Sequence, residues 1–467
     1  MTADETPLDY FKNVEFEHIK DSEILQNIYK EIEEHYEKII LDTNLCFKLE
    51  NLLLKSSYEQ RIEFFKKIDI SIIKTKLGSR IVENVLNSVK NKLEDADISL
   101  IKEIFGKKLV KFMSNENATF VARKFIDILV IVNSTDFLTQ FEDNLVKNIH
   151  KFFKKDACLF TLGYYIKFSP QKQKLCDIIV DEYLYKEDFL NKRSFFYQDF
   201  MEFCGNKNRT KIFKKIKDDF FDFCKHEKAN YVIQSLLKFD YKNMGRYYNL
   251  IYDNLKVFNR NSNIVLSLAL SLAENNLQKE CVSIVKEHYM QDSSDIFDSL
   301  LYYKSDSPDS KYTPLLVKFF QFSKEYNFDI IKLFLKHFKQ SWLFEKNGRT
   351  ICKCFLMGNA TLNEKEDFIK LVKPEISNIS KDFYGRQLLE VILEYCNEDI
   401  KEIIHKAIKN NNNEKNSFRN NSNFYNVGKT QTHNKSDKYY ANKKDECKKY
   451  NRRPVEVLNS NSKKVKK

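Results

Sequence analysis

Glycine and proline are scarce, at 9 and 6 in 467 residues. A β-rich chain places those residues in its many turns, so a sandwich or barrel is excluded and helices are expected throughout. Enzyme signatures are missing as well: there is no Gly-rich phosphate loop, nucleophile elbow or His-Glu-x-x-His helix, and no cofactor site is expected. The ten cysteines form no framework. Cys204, Cys224 and His226 share one stretch, and Cys352 and Cys354 are separated by one residue, but neither set has paired zinc spacing. Buried thiols are the better reading, and no metal is expected. Unpaired cysteines and an N-terminus without a secretory signal point to a reducing compartment. The longest apolar runs, such as Ile264 to Ala273, are too short to span a bilayer, so no membrane partner is expected. The 39 Phe and 25 Tyr are expected mainly as helix-packing residues.

What the chain does have is a recurring pentad. In Asn230-Tyr231-Val232-Ile233-Gln234, helical spacing puts the two amides on one face, the tyrosine beside them, and Val232, Ile233, Leu236 and Leu237 on the apolar side. Taken alone this is an ordinary amphipathic helix. Cognate segments begin at 46, 79, 119, 158, 194, 263, 349 and 386, with a weaker one at Ser294. They run Cys46-Phe47-x-x-Glu50, Ser79-Arg80-x-x-Glu83, Thr119-Phe120-x-x-Arg123, Cys158-Leu159-x-x-Leu162 and Ser194-Phe195-x-x-Gln198. Asn263-Ile264-x-x-Ser267, Arg349-Thr350-x-x-Lys353 and Arg386-Gln387-x-x-Glu390 follow. Successive pentads are 31 to 40 residues apart except for one gap of 55, which leaves room for a degenerate unit between Tyr312 and Phe338. A period in the thirties marks a solenoid with one supersecondary motif per unit. Between pentads, Ile212, Phe213, Ile216, Phe220 and Phe223 keep helical spacing, after a stop at Gly205 and a candidate cap among Asn206 to Asn208.

The pentads resemble the RNA-reading helices of Pumilio-type (PUF) repeats. The resemblance implies an all-α, C-shaped solenoid of about ten or eleven repeats that binds single-stranded RNA, one base per repeat. By that likeness Asn230, Tyr231 and Gln234 form a uracil-reading set, Ser79, Arg80 and Glu83 a guanine-reading set, and Ser194, Phe195 and Gln198 a set suited to adenine. The chemistry agrees: a carboxylate only accepts and matches two donors on guanine, whereas an amide serves a mixed edge. The candidate RNA-binding residues also include Cys46, Phe47 and Glu50; Thr119, Phe120 and Arg123; Arg349, Thr350 and Lys353; and Arg386, Gln387 and Glu390. Leu162, Ser267 and Asp298 stand where a reader would need Gln or Glu, and Arg123 and Lys353 bring charge, so no long linear code is expected. Asn27 to Glu31, Leu41 to Asn44 and Leu49 to Leu53, with the pentads at 79 and 119, are further similar to the nucleolar protein nine family. That likeness implies a nucleolar factor on small-subunit pre-ribosomes, among particle proteins. It would bind precursor ribosomal RNA and restrain premature cleavage by covering it, without catalysis. Other readings are a PUF-like protein acting on messenger RNA or large-subunit assembly, or a protein-binding scaffold of the HEAT or armadillo type, which gives no reason for base-reading triplets.

Three segments are expected: an N-terminal extension over 1–19, the repeat array over 20–410, and a tail over 411–467. The tail is rich in Asn and Lys, nearly lacks Val, Ile, Leu and Phe, and is expected to be disordered. It carries a net charge of +10 out of the chain's +12, so the repeat body is nearly neutral. Lys443-Lys444, Lys448-Lys449, Arg452-Arg453 and Lys463 to Lys467 read as import signals or nucleic-acid grips; enrichment by base composition is the plain alternative. A monomer located in the nucleus and nucleolus is expected.

Overall fold

The computed structural model describes residues 6–16, 19, 22–291, 293, 295–301 and 311–422. These residues form helices and no strands. They divide into two compact units, 1–364 and 365–467.

In the first unit every strong pentad lies at the start of a helix. These are α1 (Thr43–Lys55), α2 (Lys76–Val89), α3 (Thr119–Ile131), α4 (Asp156–Phe168), α5 (Ser194–Phe203), α6 (Ala229–Phe239) and α7 (Asn263–Glu274). Each packs against the next, and the row continues through α8 (Thr313–Leu316), with its 3-10 extension Val317–Gln321, to α9 (Lys346–Met357). The second unit holds α10 (Phe383–Ile392) and α11 (Glu398–Ser422).

One burial profile recurs along the row. In α6, Ala229, Val232, Ile233, Leu236 and Leu237 are buried while Tyr231 is exposed. In α3, Ala118, Val121, Ala122, Phe125 and Ile126 are buried under an exposed Phe120. Two apolar pairs four residues apart can both face the neighbouring helices only if the second and fifth pentad places turn outward. Burial of each such side chain stabilises the stack by about 1.5–3 kcal/mol.

The residue before the pentad has its own constraint. At Gly78, Gly348 and Gly385 a Cβ would fall 2.3 Å from Ile72 O, 2.5 Å from Trp342 Cα and 2.0 Å from Ile379 O. Each obstruction is the residue six positions upstream, so the same tight entry into the helix is built three times. The entries at α2 and α10 are also capped, by Thr75 and Asp382 side chains that accept from Gly78 N and Gly385 N.

Two arginines, one half-buried and one buried, close the other end. Arg61 donates to the carbonyls of Leu53, Leu54 and Ser56, and Arg209 to those of Met201 and Glu202 and to Phe239 O. In both cases a guanidinium eight residues downstream satisfies the orphan carbonyls ending a pentad helix. Arg209 also reaches the end of α6, which ties two repeats together.

The structure differs from the sequence-based expectations at three places and adds detail at a fourth, the N-terminal extension. In α4 the buried pairs are Thr161-Leu162 and Tyr165-Ile166, so Phe160 takes the second place and Gly163 the fifth. The pentad is therefore shifted by one residue, and Leu162 belongs to the core. The row's seat between α7 and α9 belongs to α8, not to the segment beginning at Ser294. Ser294 itself lies outside the described residues; Ile296–Leu300 is a short helix capped by Asp295 that packs on α8 and on Ile330–His337. At the N-terminus, Pro7–Asn13 is a helix that packs on α1, where Lys48 donates to Val14 O at 2.9 Å. At the other end, α11 continues through Ser422, past the boundary at 411, and Asn411 donates to Ser380 Oγ at 2.5 Å. The remaining tail, 423–467, with all its basic clusters, lies outside the described residues.

Candidate nucleic-acid interface

The outward places of the row carry four aromatic rings at the pentads' second position. Phe47, Phe120, Phe195 and Tyr231 are 45%, 47%, 55% and 48% exposed. Rings this exposed, each standing beside a buried apolar pair of its own helix, are available for stacking. Phe160 is half-buried in the same place, and Arg80, Thr350 and Pro314 are exposed there. The array loses its platform at α7, where Ile264 is buried.

The fifth place supplies the polar groups. Glu50, Glu83, Arg123, Gln198, Gln234, Ser267 and Lys353 are half-buried, and Val317 completes the sequence at α8. In the second unit Arg386 and Gln387 are half-buried and Glu390 is exposed. Several of these groups are wired to adjacent repeats. Glu50 pairs with Arg80 at 3.0 Å and accepts from Asn84 Nδ2 at 2.5 Å, while the Arg80 guanidinium lies 4.6 Å over Phe47. Arg123 likewise lies 4.8 Å over Phe120. Ser267 donates to Gln234 Oε1 at 3.4 Å.

The first place behaves differently from the sequence expectation. Cys46, Ser79, Thr119 and Ser194 are buried, so from these positions they do not reach a base edge. Small hydroxyls fit the crowded helix start: Ser79 donates to Lys76 O and Thr119 to Glu116 O, each closing on its own chain three residues back. Burial, helped by the Glu50 charge, raises the pKa of the Cys46 thiol. Asn230 and Arg349 remain half-buried at that place, and Thr350 and Lys353 complete the surface set of α9.

Side chains from α5 to α8 meet around a groove of about 410 Å³ lined by Gln198, Tyr231, Gln234, Ser267, Pro314 and Lys318. Two of these residues come from the α8 repeat, for which no pentad was assigned. Its signal was present: Leu315-Leu316 and Phe319-Phe320 repeat the two apolar pairs. Only the polar reader is lacking, because Val317 occupies its place.

The cysteine and histidine clusters have structural occupations. Cys204 and Cys224 are buried, with thiols pushed up to about 12 by desolvation, and His226 Nδ1 accepts from the backbone of Lys228 and Ala229 at the start of α6. Asp295, Asp298 and His337 bring ligand atoms within 4.8 Å of one another. Asp295 there caps a helix and pairs with Lys336 and His337. Among the described residues no helix is long and apolar enough to cross a membrane.

No family model matches the sequence, and neither does any curated protein. Solved structures do match the fold. The structure of APUM23-GGAUUUGACGG superposes with a TM-score of 0.66 at 17% identity, over 86% of this chain and 92% of that one. APUM23 with its insert region deleted, with GGAAUUGACGG, gives a TM-score of 0.61 at 16% identity, over 87% and 93%. At that identity the likeness speaks to architecture: the chain is an all-α repeat protein that resembles Pumilio-repeat domains.

Proposed function

We propose that the protein binds single-stranded RNA along the outward places of α1 to α9. The observation that carries this reading is the set of exposed rings at one pentad position, Phe47, Phe120, Phe195 and Tyr231, each with a polar or charged group three residues on. Bases stack on such rings for about 1–3 kcal/mol each, whatever their identity, and the fifth-place groups discriminate among them. A protein-binding scaffold would not need this alternation. The similarity to APUM23, whose structures carry RNA sequences in their names, supports the same chemistry.

The resemblance to the nucleolar protein nine family extends the proposal. The RNA is precursor ribosomal RNA in small-subunit particles, the protein works in the nucleus and nucleolus among the particle proteins, and it restrains cleavage by occlusion. Crosslinking in cells followed by sequencing tests this. Reads concentrated on precursor ribosomal RNA are the expected result. Reads on messenger RNA or large-subunit precursors would move the protein to those targets, and absence of RNA crosslinks would leave a protein-binding scaffold.

A further inference from the structure

The repeat carrying Gly163 at its fifth place has no side chain there to read a base, and it has a hollow of about 250 Å³ instead. Phe196, 1% exposed, forms its floor, since a Cβ on Gly163 would sit 3.0 Å from that ring. Phe160, Tyr164 and Phe203 wall it, and Arg123, Lys167 and Asp199 rim it. The lining thus combines aromatic faces with both signs of charge. Tyr164 is oriented by donating to Asp127 Oδ1. Arg123 Nε is buried and has no hydrogen-bond partner within the protein. A buried guanidinium nitrogen left unpaired is costly unless a ligand supplies its acceptor.

We propose that this hollow is a socket for one nucleobase of the bound RNA, and that the base is guanine. The inference rests on the RNA-binding reading above. The Asp199 carboxylate only accepts hydrogen bonds, and guanine offers it two parallel donors, N1–H and the N2 amine; cytosine offers a single amine. Arg123 and Lys167 only donate, which suits guanine O6 and N7. Adenine and uracil present no pair of adjacent donors, so either would leave the carboxylate poorly matched in an apolar-walled site. Gly163 leaves the fifth place of this repeat without a side chain beside the Phe196 floor.

Selection of a random single-stranded RNA pool on the full chain tests the socket. The expected consensus contains one invariant G whose replacement by A weakens binding tenfold or more. Asp199→Asn should erase that preference and leave the preference at the base matched to Gln234 intact. Gly163→Leu, which fills the hollow, should do the same if it folds; Asp199→Asn, at the exposed rim, keeps the test open if it does not. An Asp199→Asn consensus identical to the wild-type one would overturn the socket and leave RNA binding standing. Failure of the wild-type chain to enrich any RNA would overturn both readings.

Discussion

Gln234 Nε2 donates to Asn230 Oδ1 at 2.8 Å, one helical turn apart on α6. The Asn230 amide nitrogen is held in turn by the carbonyls of His226 and Glu227, at 2.7 and 2.9 Å. The helix's own backbone therefore sets the order of the donor and acceptor that Gln234 presents. One N–H and the second lone pair of Oε1, which already accepts from Ser267 Oγ at 3.4 Å, remain for a base, a mixed pair that suits the N3–H and a carbonyl oxygen of uracil.

Gln234→Ala should weaken binding to an RNA with the matched uracil by ~1–3 kcal/mol, scaled from base-edge pairs in DNA. Discrimination at that base alone should relax. Titration against single-base variants of a selected RNA measures this; equal affinities for all variants before and after mutation would remove Gln234 from the reading set.

Tyr231→Ala and Phe195→Ala should each cost ~1–3 kcal/mol of RNA affinity regardless of the base, because every base has a π-face. Their exposure of about half implies little loss of folding stability. A large fall in the thermal midpoint without a loss of RNA affinity would assign these rings to packing.

Gly348→Ala should destabilise the protein by ~1–3 kcal/mol, since the new methyl overlaps Trp342 and the entry to α9 must shift. Gly245→Ala is the matched control. It lies in the helix Met244–Tyr252 with nothing within 4 Å of the added Cβ, and should stabilise by ~0.5–1 kcal/mol. Denaturant titration of both variants checks the contrast, which an equal effect of the two substitutions would abolish.

His288 is buried and its Nε2 lies 3.1 Å from Asn259 O. Burial is the main reason its pKa falls below the usual 6.5; the nearby Arg260 charge adds to this, and the Asn259 carbonyl opposes it. The unfolded chain therefore takes up a proton at a pH where the folded one does not. This contribution to stability is present above about pH 6.5, is lost as the pH falls below it, and levels off once His288 itself protonates. His288→Gln, which keeps a donor toward Asn259 O, should make the decline in thermal midpoint between pH 7 and 5 shallower. An unchanged decline would show that other groups dominate.

Removing residues 423–467 should leave the thermal midpoint unchanged, because that segment has few apolar residues with which to pack. Loss of Lys463 to Lys467 alone should impair nuclear entry, read by imaging of the tagged protein. It should also flatten the salt dependence of RNA binding if those lysines touch phosphate. A truncated chain that still reaches the nucleolus and binds with the same salt slope would assign both roles to the repeats.

The period, the apolar pairs and the scarcity of turn residues determined the helical repeat fold by themselves, because each helix must bury one stripe against a neighbour. The second-place rings were legible for the same reason: a large aromatic outside the apolar pairs has to face outward. Tertiary structure alone decided the rest. Cys158 and Leu159 match the pentad as well as their neighbours do, and only the burial of Thr161 and Leu162 against adjacent helices fixes the register that puts Gly163 at the fifth place. The α8 repeat was legible only as room for a degenerate unit between Tyr312 and Phe338, because the reading depended on a polar fifth residue, while packing requires only Leu315-Leu316 and Phe319-Phe320. Ser79, Thr119 and Ser194 look like readers by type, yet a short hydroxyl at a crowded helix start is covered by packing, and Ser79 and Thr119 bond to their own backbone. The pairing of Glu50 with Arg80, 30 residues away, depends on how two helices lie side by side, which no local pattern encodes.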